Sequence, residues 1–465
     1  MSKGDAKDGF ESEHQMVIEQ IRDRIDPDSA EREAMQRVMS QLRNRITTEV
    51  ESFPVSADVV QVGSTARGTW LAGDRDIDIF VRFPTELNRE ALEEYGLKVG
   101  SSVLPSGHEE YAEHPYITGT FEGFEVDLVP CYDVDAGSEL QSAVDRTPHH
   151  NQYLQTRIDE RIAAAVRVLK KFLKGIGAYG SDLRTRGFSG YLTELLVIEY
   201  GDFEAVLKAA ARWQPPVEID PEAHGTAAHD DPLIVVDPTD PARNVAAVCS
   251  ATNISRFQHY ARQFLEEPKQ TYFESPTEMT AEMDIETVRT HLQRRGTSPM
   301  ALVFDSPDIV DDQLYPQLRK SVQGIRTALE TEGFDVIRTA AFADDQAVLF
   351  IELMHRHCPA IERHTGPPIT VREHASEFYT AYETDADTYG PFIDGDRYVV
   401  ERERTWTDAA AFLQSESIFN AGLGAQIEEA LADTYTVLVE DEIIALTSEF
   451  GESLTQYFEP TASGV

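Results

Sequence analysis

Two acids and then a third, each set in an apolar β-like run, give this chain its most informative chemistry. Asp76-Ile77-Asp78-Ile79-Phe80-Val81 alternates polar with apolar residues, the period of a half-buried strand. Residues two apart on a strand point the same way, so Asp76 and Asp78 present paired carboxylates. Asp127 repeats the pattern in Gly123-Phe124-Glu125-Val126-Asp127-Leu128-Val129-Pro130. Like charges held together call for a divalent cation. An all-oxygen donor set suits Mg²⁺ or Mn²⁺, and three convergent carboxylates suit two-metal phosphoryl or nucleotidyl transfer.

About a dozen residues upstream lies Gly63-Ser64, after the β-branched run Val59-Val60-Gln61-Val62. Thr65 to Leu71 is expected to open a helix, which Gly73 ends. Free N–H groups at such a helix start bind polyphosphate without a long glycine loop, and Arg67 adds positive charge. Ser64 and Arg67 are therefore expected to hold the β- and γ-phosphates of a nucleoside triphosphate.

The Gly-Ser, Asp-x-Asp and distal Asp pattern resembles the DNA polymerase β-like nucleotidyltransferases. Longer strings are similar to the archaeal, class I CCA-adding tRNA nucleotidyltransferases: Gly63 to Leu71, Tyr111 to Tyr116, Glu125 to Tyr132, Ala143 to His150, Arg186 to Leu192 and Val235 to Ala247, in family order over about the first 260 residues. Asp76 stands where the resembled family has Glu, a change that keeps a carboxylate ligand. The resemblance implies addition of C, C and A to the 3′ end of tRNA from CTP and ATP, with Asp76, Asp78 and Asp127 catalytic and metal-binding. It also implies that His150, Lys170 and Tyr179 complete the triphosphate and ribose contacts, and that Arg243 with Asp240 lies near the base. Two other readings stay open: a poly(A)- or oligoadenylate-synthesising relative, and a non-catalytic RNA-binding protein on a degenerate transferase fold.

The elements that must position these residues follow from periodicity. The expected class is α+β and multidomain: a catalytic palm with N-terminal helices over 1–150, a mainly helical nucleotide-binding region over 151–270, and an α+β region over 271–465. Residues 11–50 read as a helix pair, with Ile18, Ile21 and Ile25 on one face. Arg157 to Ile176 is apolar at helical spacing, which places Lys170 and Lys174 on a shared polar edge. Helices continue from Gly190 to Ala211. Pro215 to Asp231 reads as a loop, Leu233 to Val236 as a strand, and Val245 as the start of a helix that ends near Glu266-Glu267-Pro268. Beyond it, Met300 to Phe304 reads as a strand and Asp311 to Glu332 as an amphipathic helix. Asp335 to Arg338 pairs with Ala347 to Ile351 as a hairpin closed at Asp344-Asp345. This suits an RNA-binding module, a structural platform or the dimerisation surface of a homodimer, and the resemblance implies a grip on the upper half of tRNA.

At 465 residues the chain supports two or three cores. Its 82 acids against 41 basic residues give a net charge of −41, the wrong sign for binding nucleic acid at ordinary salt. With only nine lysines, the composition fits a haloarchaeal cytoplasm holding molar salt, where repulsion is screened. One segment, Asp145 to Arg212, has eleven basic residues against eight acids and is expected to face triphosphate or tRNA. Cys131, Cys249 and Cys358 lack paired spacing, so neither a disulfide framework nor a zinc ribbon is expected. His355-Arg356-His357-Cys358 reads as a helix end with exposed imidazoles. No apolar run approaches the roughly 20 residues that span a bilayer, which leaves a cytoplasmic location and no membrane partner expected.

Overall fold

The computed structural model describes residues 3–134, 140–225, 229–274 and 283–460. The chain divides into two compact units, the first through residue 279 and the second from residue 280.

The first unit opens with helices α1 (Lys3–Ile25) and α2 (Ser29–Val50). Asp28 starts α2 as half of a capping box with Glu31, each side chain satisfying the other's free backbone N–H. The two helices serve different cores. Met35, Val38, Leu42 and Ile46 of α2 pack against a five-stranded sheet, whereas Ile21 and Ile25 of α1 join the helices that follow.

That sheet runs β1 (Asp58–Val62), β2 (Asp76–Phe83), β5 (Phe124–Tyr132), β4 (Pro115–Phe121), β3 (His108–Tyr111) across its width. Only β2 and β5 are parallel. Ile77, Ile79, Val81 and Phe83 point into the core with α2 and α4 (Arg89–Val103), as do Val126 and Leu128. Period-two alternation then puts Asp76, Asp78 and Asp127 on the opposite face.

Between β1 and β2 lies a short helix, α3 (Gly63–Arg67), which Gly68 closes in the left-handed conformation at φ 69°. The expected helix over Thr65 to Leu71 is thus earlier and only one turn long. After the sheet come α5 (Arg146–Gln155), α6 (Glu160–Gly175), α7 (Gly190–Tyr200) and α8 (Phe203–Ala210). They precede a small sheet of β6 (Val217–Ile219), β7 (Leu233–Asp237) and β8 (Asp240–Asn244), and then α9 (Ala251–Glu266).

Two local expectations change here. Part of the stretch expected as a loop is strand β6, while residues 226–228 within it lie outside the described residues. Val245 does not start a helix. Asp240–Asn244 returns as a strand against β7, held by the Asn244 side chain on Val235 N and Leu233 O, and α9 begins six residues later behind the Ser250 cap.

In the second unit, antiparallel strands β9 (Ser298–Asp305), β10 (Val336–Ala343), β11 (Gln346–Leu353) and β15 (Thr436–Val439) form a sheet ordered β10-β11-β9-β15. The helix Asp311–Thr331 covers one face, and the helices Ile285–Arg295 and Thr447–Phe458 cover the other. The expected hairpin is β10 and β11. A second sheet, β12 (Ile361–Pro368), β14 (Arg397–Glu403) and β13 (Thr388–Asp394), leaves Tyr389, Phe392 and Ile393 exposed. His355 to Cys358 does not end a helix. It follows β11, with Arg356 paired to Asp408 by two bonds of 2.7 and 2.8 Å. No described helix is long and apolar enough to cross a membrane.

Candidate active site

Register, more than proximity in sequence, assembles the carboxylates. Asp78 of β2 stands directly beside Asp127 of β5, and Asp76 beside Glu125. Val62, the last residue of β1, pairs with Asp78 from the other side, which delivers Gly63 to the carboxylate. A Cβ on Gly63 would lie 1.9 Å from Asp78 Oδ2, and its φ is +72°. Both facts require glycine at this point.

Burial pushes the Asp78 carboxyl up to about 6, with Asp127 and then Asp76 adding repulsion. Asp76 is raised too, chiefly by burial and then by Asp74 and Glu125. This is a donor set under mutual repulsion, which a divalent cation relieves. Among the described residues, no three His, Cys, Asp or Glu side chains are gathered closely enough to hold one ion. The backbone therefore fixes which carboxylates share the face, and the all-oxygen set with a glycine cradle fits a hard cation.

Arg67 and Lys170 occupy a second, drier layer. Arg67 Nε and Nη2 donate to Glu194 Oε1 and Oε2 at 3.1 and 2.8 Å, and Nη1 donates to Asn151 Oδ1 at 2.7 Å. Glu194 lies on α7 and is fully buried. It also accepts from Thr69 Oγ1 at 2.5 Å, while Lys170 Nζ donates to Thr69 O at 3.0 Å. Lys170 is buried, and desolvation holds its pKa below the usual lysine value. The expected shared edge with Lys174 is therefore not formed, because Lys170 turns inward to Thr69. Lys174 remains exposed, above the ring of half-buried Tyr179 at 5.5 Å. Ser64 is half-buried at the start of α3. Sequence reasoning missed Glu194 and Asn151. Glu194 did leave a signal, a single acid inside the apolar run Leu192 to Val197.

A third group forms around Asp237 at the end of β7. Its Oδ2 accepts from His150 Nε2 and Arg243 Nη1, each at 2.8 Å. Its Oδ1 accepts from Tyr191 Oη at 3.1 Å and from Thr239 N and Oγ1 at 2.9 Å. These bonds hold the Asp237 carboxyl well below the usual range despite burial, while burial lowers His150. Arg243, expected with Asp240 near the base, binds Asp237, and Asp240 pairs with Arg146 at 3.2 Å. The groups are linked along α5, where His150 reaches Asp237 and the next residue, Asn151, reaches Arg67 and Gln61 O.

Known proteins match along the whole of this arrangement. A nucleotidyltransferase domain model matches residues 40–150, a tRNA nucleotidyltransferase second-domain model matches 164–274, and a CCA-adding enzyme C-terminal domain model matches 295–440. The CCA-adding enzyme of Halobacterium salinarum is 57% identical over 449 residues, 96% of this chain and 99% of the relative. The chain belongs to the CCA-adding enzyme family. The family's Haloarcula marismortui enzyme is 54% identical over 96% of this chain and 99% of its own length, and that of Methanosarcina acetivorans is 40% identical over 92% and 94%. Asp76, Asp78 and Asp127 fall in the part matched by the nucleotidyltransferase model, whereas Lys170, Glu194, Asp237 and Arg243 fall in the family's second domain. Among solved structures, a cytoplasmic RNA terminal U-transferase aligns at 14% identity with a TM-score of 0.44, covering 57% of this chain and 99% of that one.

Proposed function

We propose that Asp76, Asp78 and Asp127 hold two divalent cations, Mg²⁺ or Mn²⁺, at the centre of the family's reaction. That reaction is the template-independent addition of C, C and A to the 3′ end of tRNA from CTP and ATP, with release of pyrophosphate. The observation that carries the site reading is the in-register pair Asp78 and Asp127 with Gly63 pressed against Asp78.

Bound there, the ions supply Lewis acidity to the attacking and leaving oxygens of an in-line displacement. The chain's own residues do the positioning. Asp127 would help to deprotonate the acceptor 3′-hydroxyl. Ser64 and the free N–H groups at the start of α3 hold phosphate oxygens. Arg67 steadies that turn through Glu194, and Lys170 adds positive charge behind it. His150, Lys170 and Tyr179 complete the triphosphate and ribose contacts, and Arg243 with Asp240 lies near the base. The 41 surplus negative charges suit a cytoplasm of molar salt, with the positive segment Asp145 to Arg212 facing triphosphate or the acceptor end. The second unit grips the upper half of tRNA.

The full chain, incubated with tRNA lacking its terminal CCA, Mg²⁺ and each labelled nucleotide in turn, tests the reading. Two C additions followed by one A are expected. Untemplated runs of A, or no addition in any divalent metal, would overturn it.

A further inference from the structure

Arg167 lies on α6 with no part of its side chain exposed. A guanidinium stays charged, so its burial is costly unless acceptors surround it. Three do so. Nε donates to Asp26 Oδ1 at 2.7 Å in the elbow between α1 and α2, Nη2 donates to Glu160 Oε1 at 3.1 Å, and Nη1 donates to Gly68 O. Two carboxylates already balance the charge. The third bond, to a backbone carbonyl of the residue that closes α3, has to be explained by what that carbonyl does.

Gly68 O shares a peptide unit with Thr69 N, and Thr69 N donates to Ser64 O at 3.0 Å. Gly68 N donates to the same oxygen. A cation at the carbonyl end polarises the peptide and strengthens its N–H as a donor, so Arg167 acts on Ser64 through one rigid plane. Lys170 stands three residues further along α6 on the same face and donates to the next carbonyl, Thr69 O, at 3.0 Å. Two buried cations of one helix thus hold consecutive carbonyls where the α3 turn ends. The loop is pinned further on as well, with Ala72 N donating to Ile25 O at 2.8 Å and Gly73 N to Glu31 Oε1 at 3.0 Å. Between these anchors Trp70 and Leu71 are buried in different cores, which leaves little slack to absorb a shift at Gly68.

We propose that Arg167 is a positioning residue for the phosphates of the incoming nucleotide, holding through Gly68 the turn that carries Ser64. The proposal rests on the reading that Ser64 holds phosphate oxygens. Its effect falls on the polyphosphate, which CTP and ATP share, and so is the same for both nucleotides.

The test uses the full chain with excess Mg²⁺, on tRNA lacking CCA for CTP and on tRNA ending in CC for ATP. kcat and KM are measured for each nucleotide, together with inhibition by inorganic tripolyphosphate. Arg167→Met, which removes the donors at similar length, is expected to raise both KM values and the tripolyphosphate inhibition constant at least about tenfold and by a common factor, with KM for tRNA unchanged. A residue that merely braced the fold would lower the unfolding midpoint and the active fraction, hence kcat, and leave KM and the inhibition constant as they were. That result overturns the proposal, and so does a rise confined to one nucleotide. If Arg167→Met does not fold, Asp26→Ala decides, since it removes the half-buried partner of Nε. The same constants are then expected to rise at least about threefold, and no change overturns the proposal. Inactivity of the unaltered chain, or no competition there between tripolyphosphate and CTP, would remove the phosphate reading and the proposal with it, so the two failures are separable.

Discussion

Arg67 meets Glu194 at two points, Nε to Oε1 at 3.1 Å and Nη2 to Oε2 at 2.8 Å, tying the turn that holds Ser64 to helix α7. Both side chains are at least nine-tenths buried. Removing one partner strands the other charge away from water. Glu194→Ala should therefore cost about 3–5 kcal/mol of stability, read from denaturant titration. A loss within the range of an exposed pair, below about 1 kcal/mol, would show that the pair is solvated and does not brace the turn.

Asp78 carries two linked expectations. Asp78→Ala or Asp127→Ala should leave less than about a tenth of wild-type incorporation, since a lost metal clamp costs several kcal/mol of barrier, while tRNA binding through distributed phosphate contacts persists. Filter binding beside turnover would separate the two effects.

In the metal-free protein the Asp78 carboxyl titrates near 6, above the ordinary value of 3.8. Its ionised form is therefore a cost to the folded state, fully present above about pH 6 and absent below about 3.8. Asp78→Asn should raise the unfolding temperature of the metal-free protein at pH 8, and the gain should shrink as pH falls through 6. A gain that stayed constant from pH 8 to pH 5 would place its origin elsewhere. Adding Mg²⁺ should stabilise the parent more than the variant.

Gly63→Ala should fail for a steric reason. The added methyl would lie 1.9 Å from Asp78 Oδ2, at a φ of +72° that itself costs about 1–2 kcal/mol for a residue with a side chain. Turnover should fall at least about tenfold with the fold retained by circular dichroism, because Asp78 must move to admit the methyl. Unchanged turnover would mean that the Gly63 contact does not set the carboxylate's position.

A net charge of −41 should make stability and activity rise with KCl. The screening length is about 10 Å at 0.1 M and about 3 Å at 1 M, so long-range self-repulsion and repulsion of tRNA fade while close contacts remain. Unfolding temperature and CCA addition from 0.1 to 3 M KCl are the measurements. A steady fall in both would be the behaviour of a protein that binds nucleic acid by phosphate neutralisation alone.

The palm was legible because its chemistry sits on strands. Asp76-x-Asp78 and Asp127 alternate with residues that had to be buried, and the sheet paired them as the period requires. The hairpin of β10 and β11 was equally plain. Lys170 was misread because helical period alone places it beside Lys174, whereas its burial depends on Thr69, about a hundred residues away in sequence. Asp237 drew no role of its own from the sequence, where it simply follows the strand Leu233 to Val236. Its five donors come from three separate parts of the chain, which no local pattern records. The sheet of β12, β13 and β14 escaped notice since Ile361–Pro368 ends in Gly-Pro-Pro and Thr388–Asp394 exposes Tyr389, Phe392 and Ile393, so neither run has the expected alternation.

Two consecutive residues of α5, His150 and Asn151, hold two different groups, Asp237 and Arg67. One peptide unit separates the ring held by Asp237 from the amide held by Arg67. A helix this short moves as one piece, so a disturbance that tilts it displaces both. Defects at Glu194 and at Asp237 should then overlap, the double variant losing less than the sum of its parts. The Asp237 cluster and the Arg67–Glu194 pair would then answer to one mechanical element of this fold.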